Sequence, residues 1–352
     1  MIEKAKDYIE QSFLKPLLSN PNITDISYNG EGIYFQDNEY GRQKYNYKIS
    51  NKEVYDFLRH IANLTDSQFS YSNPILDISC DLYRINAVHY SIARKNREQT
   101  VNFSIRVGKK DIKIKEDNSF ITNKCVKLIS LFLNAKQSIV IGGKTSSGKT
   151  ELQKFIISKL KENSRLIIID NVEELETDDF LENIDSQTWL LKSKDVSFDQ
   201  LVKNALRNNP DWLIVSEARG EEALSILNSA MTGHPTITTI HAKDCSFIFK
   251  RLGRMCMLKN ENIKFKNIID DIYDHFKLVI YVKKEIDNDG KIKRFVEKIG
   301  TNTQKRYYEL FSYPNIYYEL PEELKIELNL SQNDFQNFNS YWKGEKNEKT
   351  KD

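Results

Sequence analysis

Apolar positions in this chain change period along its length, and the changes mark its elements. Over residues 1–18 they recur at helical spacing (Ile2, Ala5, Ile9, Phe13, Leu17) with Lys4, Lys6, Asp7 and Glu10 on the other face, which predicts an amphipathic helix. Asn20, Pro21 and Asn22 break that pattern. Residues 24–28 and 32–35 read as strands turned at Asn29-Gly30, a pair suited to the left-handed positions of a tight hairpin. Val54, Phe57, Leu58 and Ile61 restore the helical period; residues 82–91 and 100–107 read as strands joined by the basic loop Arg94-Lys95-Asn96-Arg97. Together these predict an α+β domain over residues 1–110. The charged run that follows, with Asp111, Lys113, Lys115, Glu116 and Asp117, reads as a linker assigned to residues 111–125.

The second half alternates short apolar runs with helical patterns. Residues 138–141 and 165–170 are strand-like, and 198–207 is an amphipathic helix. Residues 211–215 form another apolar strand, 221–231 a helix stopped by Gly233 and Pro235, and 236–240 and 278–282 two further strands. This order predicts an α/β domain over 126–300. Residues 301–352 read as a C-terminal extension rich in Tyr, Phe and Asn, whose last ten residues alternate charges and suit a tail without fixed structure.

Composition adds boundaries. The 352 residues exceed what one core usually fills, which favours two domains. With 52 basic against 50 acidic residues the formal charge is +2, so no global field points to nucleic acid. Cys80, Cys125, Cys245 and Cys256 form no close pair, arguing against a disulfide framework or zinc ribbon and for reduced cytoplasmic thiols. No apolar run approaches the ~18 residues of a membrane span. The first helix leaves two readings open, packing on its own domain or lying on a membrane surface.

The chemistry centres on Gly143-Lys144-Thr145-Ser146-Ser147-Gly148-Lys149-Thr150, which fills G-x-x-x-x-G-K-[ST] between a strand and a helix carrying Leu152, Phe155, Ile156 and Leu160 on one face. In that context glycines let backbone N–H groups close on phosphate, Lys149 reaches the outer phosphates and Thr150 offers a hydroxyl to Mg²⁺. Two later strands end in acid. The first runs to Asp170, followed by Glu173, Glu174 and Glu176; the second runs into Ser216-Glu217-Ala218-Arg219. Ligands of such sheets sit at the carboxyl ends of strands, so Glu217 is a candidate to hold Mg²⁺ or activate water. Arg207 and Arg219 could offset phosphate charge or pair with a carboxylate. His234 and His241 bracket the next strand as candidate γ-phosphate sensors; with Cys245 they lack the short pair spacing of a metal site. Arg84 and Arg106 sit within apolar strands and either project toward phosphate or snorkel at a sheet edge.

These blocks resemble the type II and type IV secretion ATPases, and most the VirB-type traffic ATPase. The phosphate loop, Leu166 to Leu175, Leu206-Arg207 through Glu217-Ala218-Arg219, and Thr232-Gly233-His234-Pro235 to His241-Ala242 match that family in order. Residues 22–30, Asn73-Pro74-Ile75-Leu76, Arg84 and Ser104-Ile105-Arg106 extend the resemblance over about residues 20–260. It implies a RecA-like P-loop NTPase domain preceded by a smaller α+β N-terminal domain, assembled as a homo-hexameric ring that clasps ATP with Mg²⁺. It further implies that Arg84 and Arg106 contact phosphate, that Glu174 is the catalytic glutamate and that Glu217 is the second acid. Its implied setting is the cytoplasmic face of the inner membrane, with secretion-machine components as partners. Asp170-Asn171-Val172 departs from the family's Glu-Asp-Thr, leaving the work divided among Asp170, Glu173 and Glu174. A pilus assembly or retraction motor and a slow nucleotide-dependent scaffold are the alternatives.

Overall fold

The structure is a computed structural model that describes residues 2–108, 112–114, 118–171, 174–175, 177, 180–181, 183–191, 196–259 and 263–344. Glu173, Glu176, residues 111 and 115–117 of the expected linker, and residues 345–352 of the expected tail lie outside the described residues. Contacts divide the chain into two units, Met1–Lys109 with Glu285–Lys293, and Lys110–Lys284 with Arg294–Asp352.

The first unit is built on an antiparallel sheet of six strands: β1 (Ile23–Tyr28), β2 (Ile33–Asp37), β3 (Gly41–Tyr45), β4 (Ile75–Cys80), β5 (Tyr83–Val88) and β8 (Asn102–Val107), in the order β3-β2-β1-β8-β5-β4. Alternation sets its faces. Tyr83, Ile85 and Ala87 are buried, while Arg84 and Asn86 point away from the core. A short ladder of β6 (Arg94–Lys95) and β7 (Glu98–Gln99) occupies the basic loop. Helix α3 (Asn51–Leu64) starts at a capping box in which Ser50 and Glu53 each satisfy the other's backbone N–H, and it buries Val54, Leu58 and Ile61.

Two local expectations change. The helix expected over residues 1–18 is two helices, α1 (Ile2–Glu10) and α2 (Lys15–Leu18). Ser12 causes the break by donating to Ile9 O at 2.7 Å while accepting from Leu14 N at 3.2 Å, and Pro16 sits in the first turn of α2, where a missing N–H costs nothing. The apolar face of α1 is spent inside its own unit, with Ala5 and Ile9 fully buried. The β1–β2 connection is also longer than a two-residue turn. Asn29 Oδ1 accepts from Glu31 N and Gly32 N at 3.1 and 3.0 Å, and Gly30 holds φ +93° with Thr100 pressed where a Cβ would stand.

The second unit is a nine-stranded sheet in the order β11-β10-β12-β13-β9-β14-β15-β16-β17. Its strands are β9 (Ser138–Gly143), β10 (Arg165–Asp170), β11 (Asp185–Leu190), β12 (Trp212–Ala218), β13 (Thr236–His241), β14 (Phe276–Ile286), β15 (Ile292–Thr303), β16 (Arg306–Ser312) and β17 (Ile316–Tyr317). The pairings from β11 across to β14 are parallel, and β15–β16 and β16–β17 are antiparallel. Helices cover both faces, which is why these strands read as unbroken apolar runs. In β10, Leu166 and Ile168 join the core under α4 (Asn123–Asn134) and α5 (Lys149–Ile157), whereas Ile167 and Ile169 join the core under α6 (Phe198–Arg207), α7 (Glu222–Met231), α8 (Ile248–Cys256) and α9 (Phe265–His275). The sheet continues past residue 300. After α10 (Leu324–Glu327), helix α11 (Gln332–Lys343) returns to the first core through Phe335 and Trp342, both fully buried, the indole N–H donating to Tyr318 O at 2.9 Å. All four cysteines are buried and free, and among the described residues no helix is long and apolar enough to cross a membrane.

Candidate functional site

Strand β9 delivers residues 143–150 to the carboxyl edge of the sheet, and the loop folds through two left-handed residues, Ser146 at φ 58° and Gly148 at φ 103°, before α5 begins. Gly143 is required by space: a Cβ there would lie 2.4 Å from Ser147 Oγ and 2.7 Å from Val282 O. Lys149 is 7% exposed, and its ammonium donates across the loop to Lys144 O at 3.2 Å. Ser147 Oγ is buried with no hydrogen-bond partner. A loop with an unfilled hydroxyl, a lysine turned across its mouth and a helix N-terminus behind it fits a phosphate group.

Three other strands bring the rest. Glu217 is the penultimate residue of β12, where the register against β13 shifts between Val215 and Ala218; such a bulge re-aims side chains. Its carboxylate is 6% exposed, accepts from Arg219 Nε at 2.6 Å, and has its other oxygen 2.9 Å from His241 Nε2, at ion-pair distance but outside hydrogen-bond geometry. His241, at the end of β13, turns Nδ1 toward Lys149 Nζ at 3.5 Å. Burial first, and the Lys149 charge second, push its pKa below 6.5, with Glu217 opposing. An ammonium can only donate, so the tautomer that accepts from Lys149 at Nδ1 is the one that carries its proton on Nε2, the nitrogen on the Glu217 side.

From the loop after β10, Glu174 Oε2 accepts from Thr150 Oγ1 at 3.2 Å. Asp170, 3% exposed, accepts at Oδ2 from Leu175 N at 2.7 Å and so ties the loop carrying Glu174 to the strand end. Asn171 bridges the two acid-bearing strands, donating to Glu217 O at 2.9 Å and accepting from Ser216 Oγ at 2.6 Å. Below the loop, Gln153 on α5 donates to Val215 O at 2.8 Å, fastening the helix to β12. Asn171 and Ser216 lie in blocks quoted from the sequence but with no role given to them there, and Gln153 lies in none; each braces the strand ends through a polar side chain within an otherwise apolar stretch.

The expected set is therefore partly gathered. Lys149, His241, Glu217 and Arg219 form one chain of contacts, and Thr150, next to Lys149 in sequence, pairs with Glu174. His234 does not join it: it lies before β13, bonded to Thr232 Oγ1 at 3.1 Å, the length of a six-residue strand (~20 Å) from His241. Arg207 lies at the end of α6, which feeds the amino end of β12, away from the carboxyl edge. In the first unit, Arg84 and Arg106 are direct cross-strand neighbours on β5 and β8, with Ser79 opposite Arg84 and Asp25 opposite Arg106. For Mg²⁺, the Thr150 hydroxyl beside Glu174 is a hard-oxygen pair of the right chemistry; Glu217 has its oxygens turned to Arg219 and His241. Among the described residues no group of three acid, histidine or cysteine side chains is placed to hold a metal.

Residues 103–287, just over half the chain, match the type II/IV secretion system protein family. An uncharacterised protein of Bacillus anthracis is 28% identical over 289 residues, covering 80% of this chain; this chain spans 64% of that relative's length. The type IV secretion system protein VirB11 of Brucella suis is 26% identical over 276 residues, 69% of this chain and 76% of the relative. Among solved structures, the ATPase DotB of Legionella pneumophila aligns over 87% of this chain and 80% of its own with TM-score 0.63 at 22% identity. The pilus retraction motor PilT with bound ADP aligns over 97% and 88% with TM-score 0.57 at 16% identity. At those identities the structures speak for the fold, an N-terminal domain followed by a RecA-like domain. The chain belongs to the type II/IV secretion system protein family.

Proposed function

We propose that the protein binds ATP with Mg²⁺ at residues 143–150 and hydrolyses it, and that a homo-hexameric ring uses the turnover to drive domain motions in type IV secretion, as substrate export or pilus assembly. The observation that carries this reading is the continuous contact from Lys149 through His241 to Glu217, beside the Thr150–Glu174 pair. Bound Mg²⁺ would neutralise phosphate charge and hold the outer phosphates in line. In this reading Lys149 neutralises the transferred phosphate, Glu174 orients the attacking water, and Glu217 holds His241 and Arg219 where they meet the γ-phosphate. Arg84 and Arg106 supply further positive charge to the phosphates. Membership of the secretion family and the names of its relatives support the transport setting, and in this reading the protein works at the inner face of the cytoplasmic membrane.

Steady-state phosphate release from the purified full chain tests it. Wild type should turn over Mg-ATP, and Lys149→Ala should reduce turnover to background. Equal rates in the two proteins would remove the site from the chemistry. The balanced charge of the chain leaves nucleic acid as an unneeded partner, so added DNA should not change the rate.

A further inference from the structure

The outer wall of the phosphate loop is made by two side chains that belong to none of the family blocks. Phe120 lies just before α4 and stands against the loop: a Cβ on Gly148 would be 3.1 Å from its Cε2 and 3.3 Å from its Cζ. The ring is half-buried, and its backbone is fixed by Val296 N, which donates to Phe120 O at 2.8 Å. Arg294, two residues earlier on β15, donates from Nε to Ser146 O at 3.0 Å, and its Cδ comes within 3.8 Å of the same Gly148 position. The stem of one residue and the ring of the other thus cover the loop from Ser146 to Gly148, the segment that holds both left-handed backbone angles. A third tie lies beside them, with Glu151 in the first turn of α5 accepting from Lys113 N at 3.1 Å.

A non-glycine residue at φ 58° is disfavoured unless its surroundings hold it there, and the Arg294 bond to the Ser146 carbonyl is such a hold. The phosphates of a nucleotide fill the inside of the loop, so its sugar and base must leave across an outer wall. An aromatic face beside a guanidinium stem is the chemistry that receives a base: stacking suits any purine and adds affinity without reading hydrogen bonds.

We infer that Phe120 and Arg294 form a nucleoside-facing brace on the phosphate loop, Phe120 offering its ring to the base and Arg294 acting as a positioning residue that keeps Ser146 in its left-handed turn. The ligand class is a purine nucleoside di- or triphosphate. The inference rests on the nucleotide-site reading above and names which part of the ligand each residue serves.

Isothermal titration of the full chain with Mg-ATP, Mg-GTP and Mg-tripolyphosphate, the last having no nucleoside, separates the roles. Phe120→Leu keeps apolar bulk and should weaken ATP and GTP about tenfold, the scale of one stacked base, while leaving tripolyphosphate unchanged. Phe120→Tyr should bind all three as wild type does. Arg294→Lys keeps the charge but loses the Nε donor, and should weaken ATP and tripolyphosphate by the same factor. The brace is overturned if Phe120→Leu binds ATP like wild type, or loses ATP and tripolyphosphate equally, or if Arg294→Lys binds tripolyphosphate undiminished. A wild-type chain that binds neither ATP nor tripolyphosphate defeats the nucleotide-site reading itself, a result distinct from all three.

Discussion

His241 Nε2 lies 2.9 Å from Glu217 Oε1 while its Nδ1 faces the Lys149 ammonium at 3.5 Å, so one imidazole separates a buried cation from a buried anion. Burial and Lys149 hold its pKa below 6.5, which makes the neutral ring the form the fold selects.

The sign of the pH effect follows. Between 6.5 and the lower folded value, an unfolded chain binds a proton at His241 and the folded chain does not, so stability falls as pH drops through that window and is regained above 6.5. His89 is fully buried, and burial likewise lowers its pKa, so it contributes in the same direction from the first unit. Urea melts of wild type and His241→Asn at several pH values between 5 and 8, roughly bracketing an ordinary histidine, isolate the His241 share. His241→Asn should show the shallower loss on the acid side. Parallel profiles for the two proteins would mean that the ring titrates as freely when folded as when unfolded.

The two acids should part company in a magnesium titration. Glu174 contacts the Thr150 hydroxyl, whereas Glu217 contacts Arg219 and His241. Glu217→Gln should bind ATP within a few-fold of wild type and hydrolyse it on the order of 100-fold more slowly, the size of a lost acid–base or positioning group. Glu174→Gln should slow hydrolysis comparably and also raise the magnesium concentration needed for half-maximal rate. Should only Glu217→Gln shift the magnesium requirement, the metal-facing carboxylate would be Glu217 and the two roles would be reversed.

How much of this was legible in the sequence depends on whether a residue acts locally. Lys149, Thr150 and the strand before them are contiguous, and α6 occupies the very residues its apolar period marks, 198–207. Glu217 and His241 were legible because each lies at the carboxyl end of an apolar strand, and parallel strands put those ends together. His234 shows the limit: seven residues from His241 in sequence, it sits at the far end of the same strand, because a strand separates what a loop would bring together. Asp170 shows another, since no sequence pattern announces that its Oδ2 accepts from Leu175 N and ties down the loop carrying Glu174. Phe120 and Arg294 were invisible, being 174 residues apart and brought together by the pairing of β15 into the sheet.

That late pairing also makes a stability prediction away from the site. Gly300 lies on β15 at an irregularity in the register with β16, and a Cβ there would fall 2.3 Å from Tyr307 Cε2 and 2.5 Å from its Oη. The Tyr307 ring packs against the core beneath α7–α9 and lies beside the fully buried Cys245, so it has little room to withdraw. Gly300→Ala should therefore cost about 1–3 kcal/mol, the usual penalty for overpacking. At roughly 2–4 °C per kcal/mol for a unit of this size, the melting temperature should fall by several degrees. Replacing the ring with a smaller side chain, Tyr307→Leu, should make the alanine at position 300 nearly free, giving a coupling energy of the same size in a double-mutant cycle. Gly290→Ala, where φ is +76° and nothing lies within 4 Å, carries a backbone penalty alone and should cost about 1 kcal/mol, a penalty that Gly300, outside the positive-φ glycines, does not carry. If Gly300→Ala melts with wild type, or if Tyr307→Leu brings no relief, the ring is not what excludes a side chain at that position.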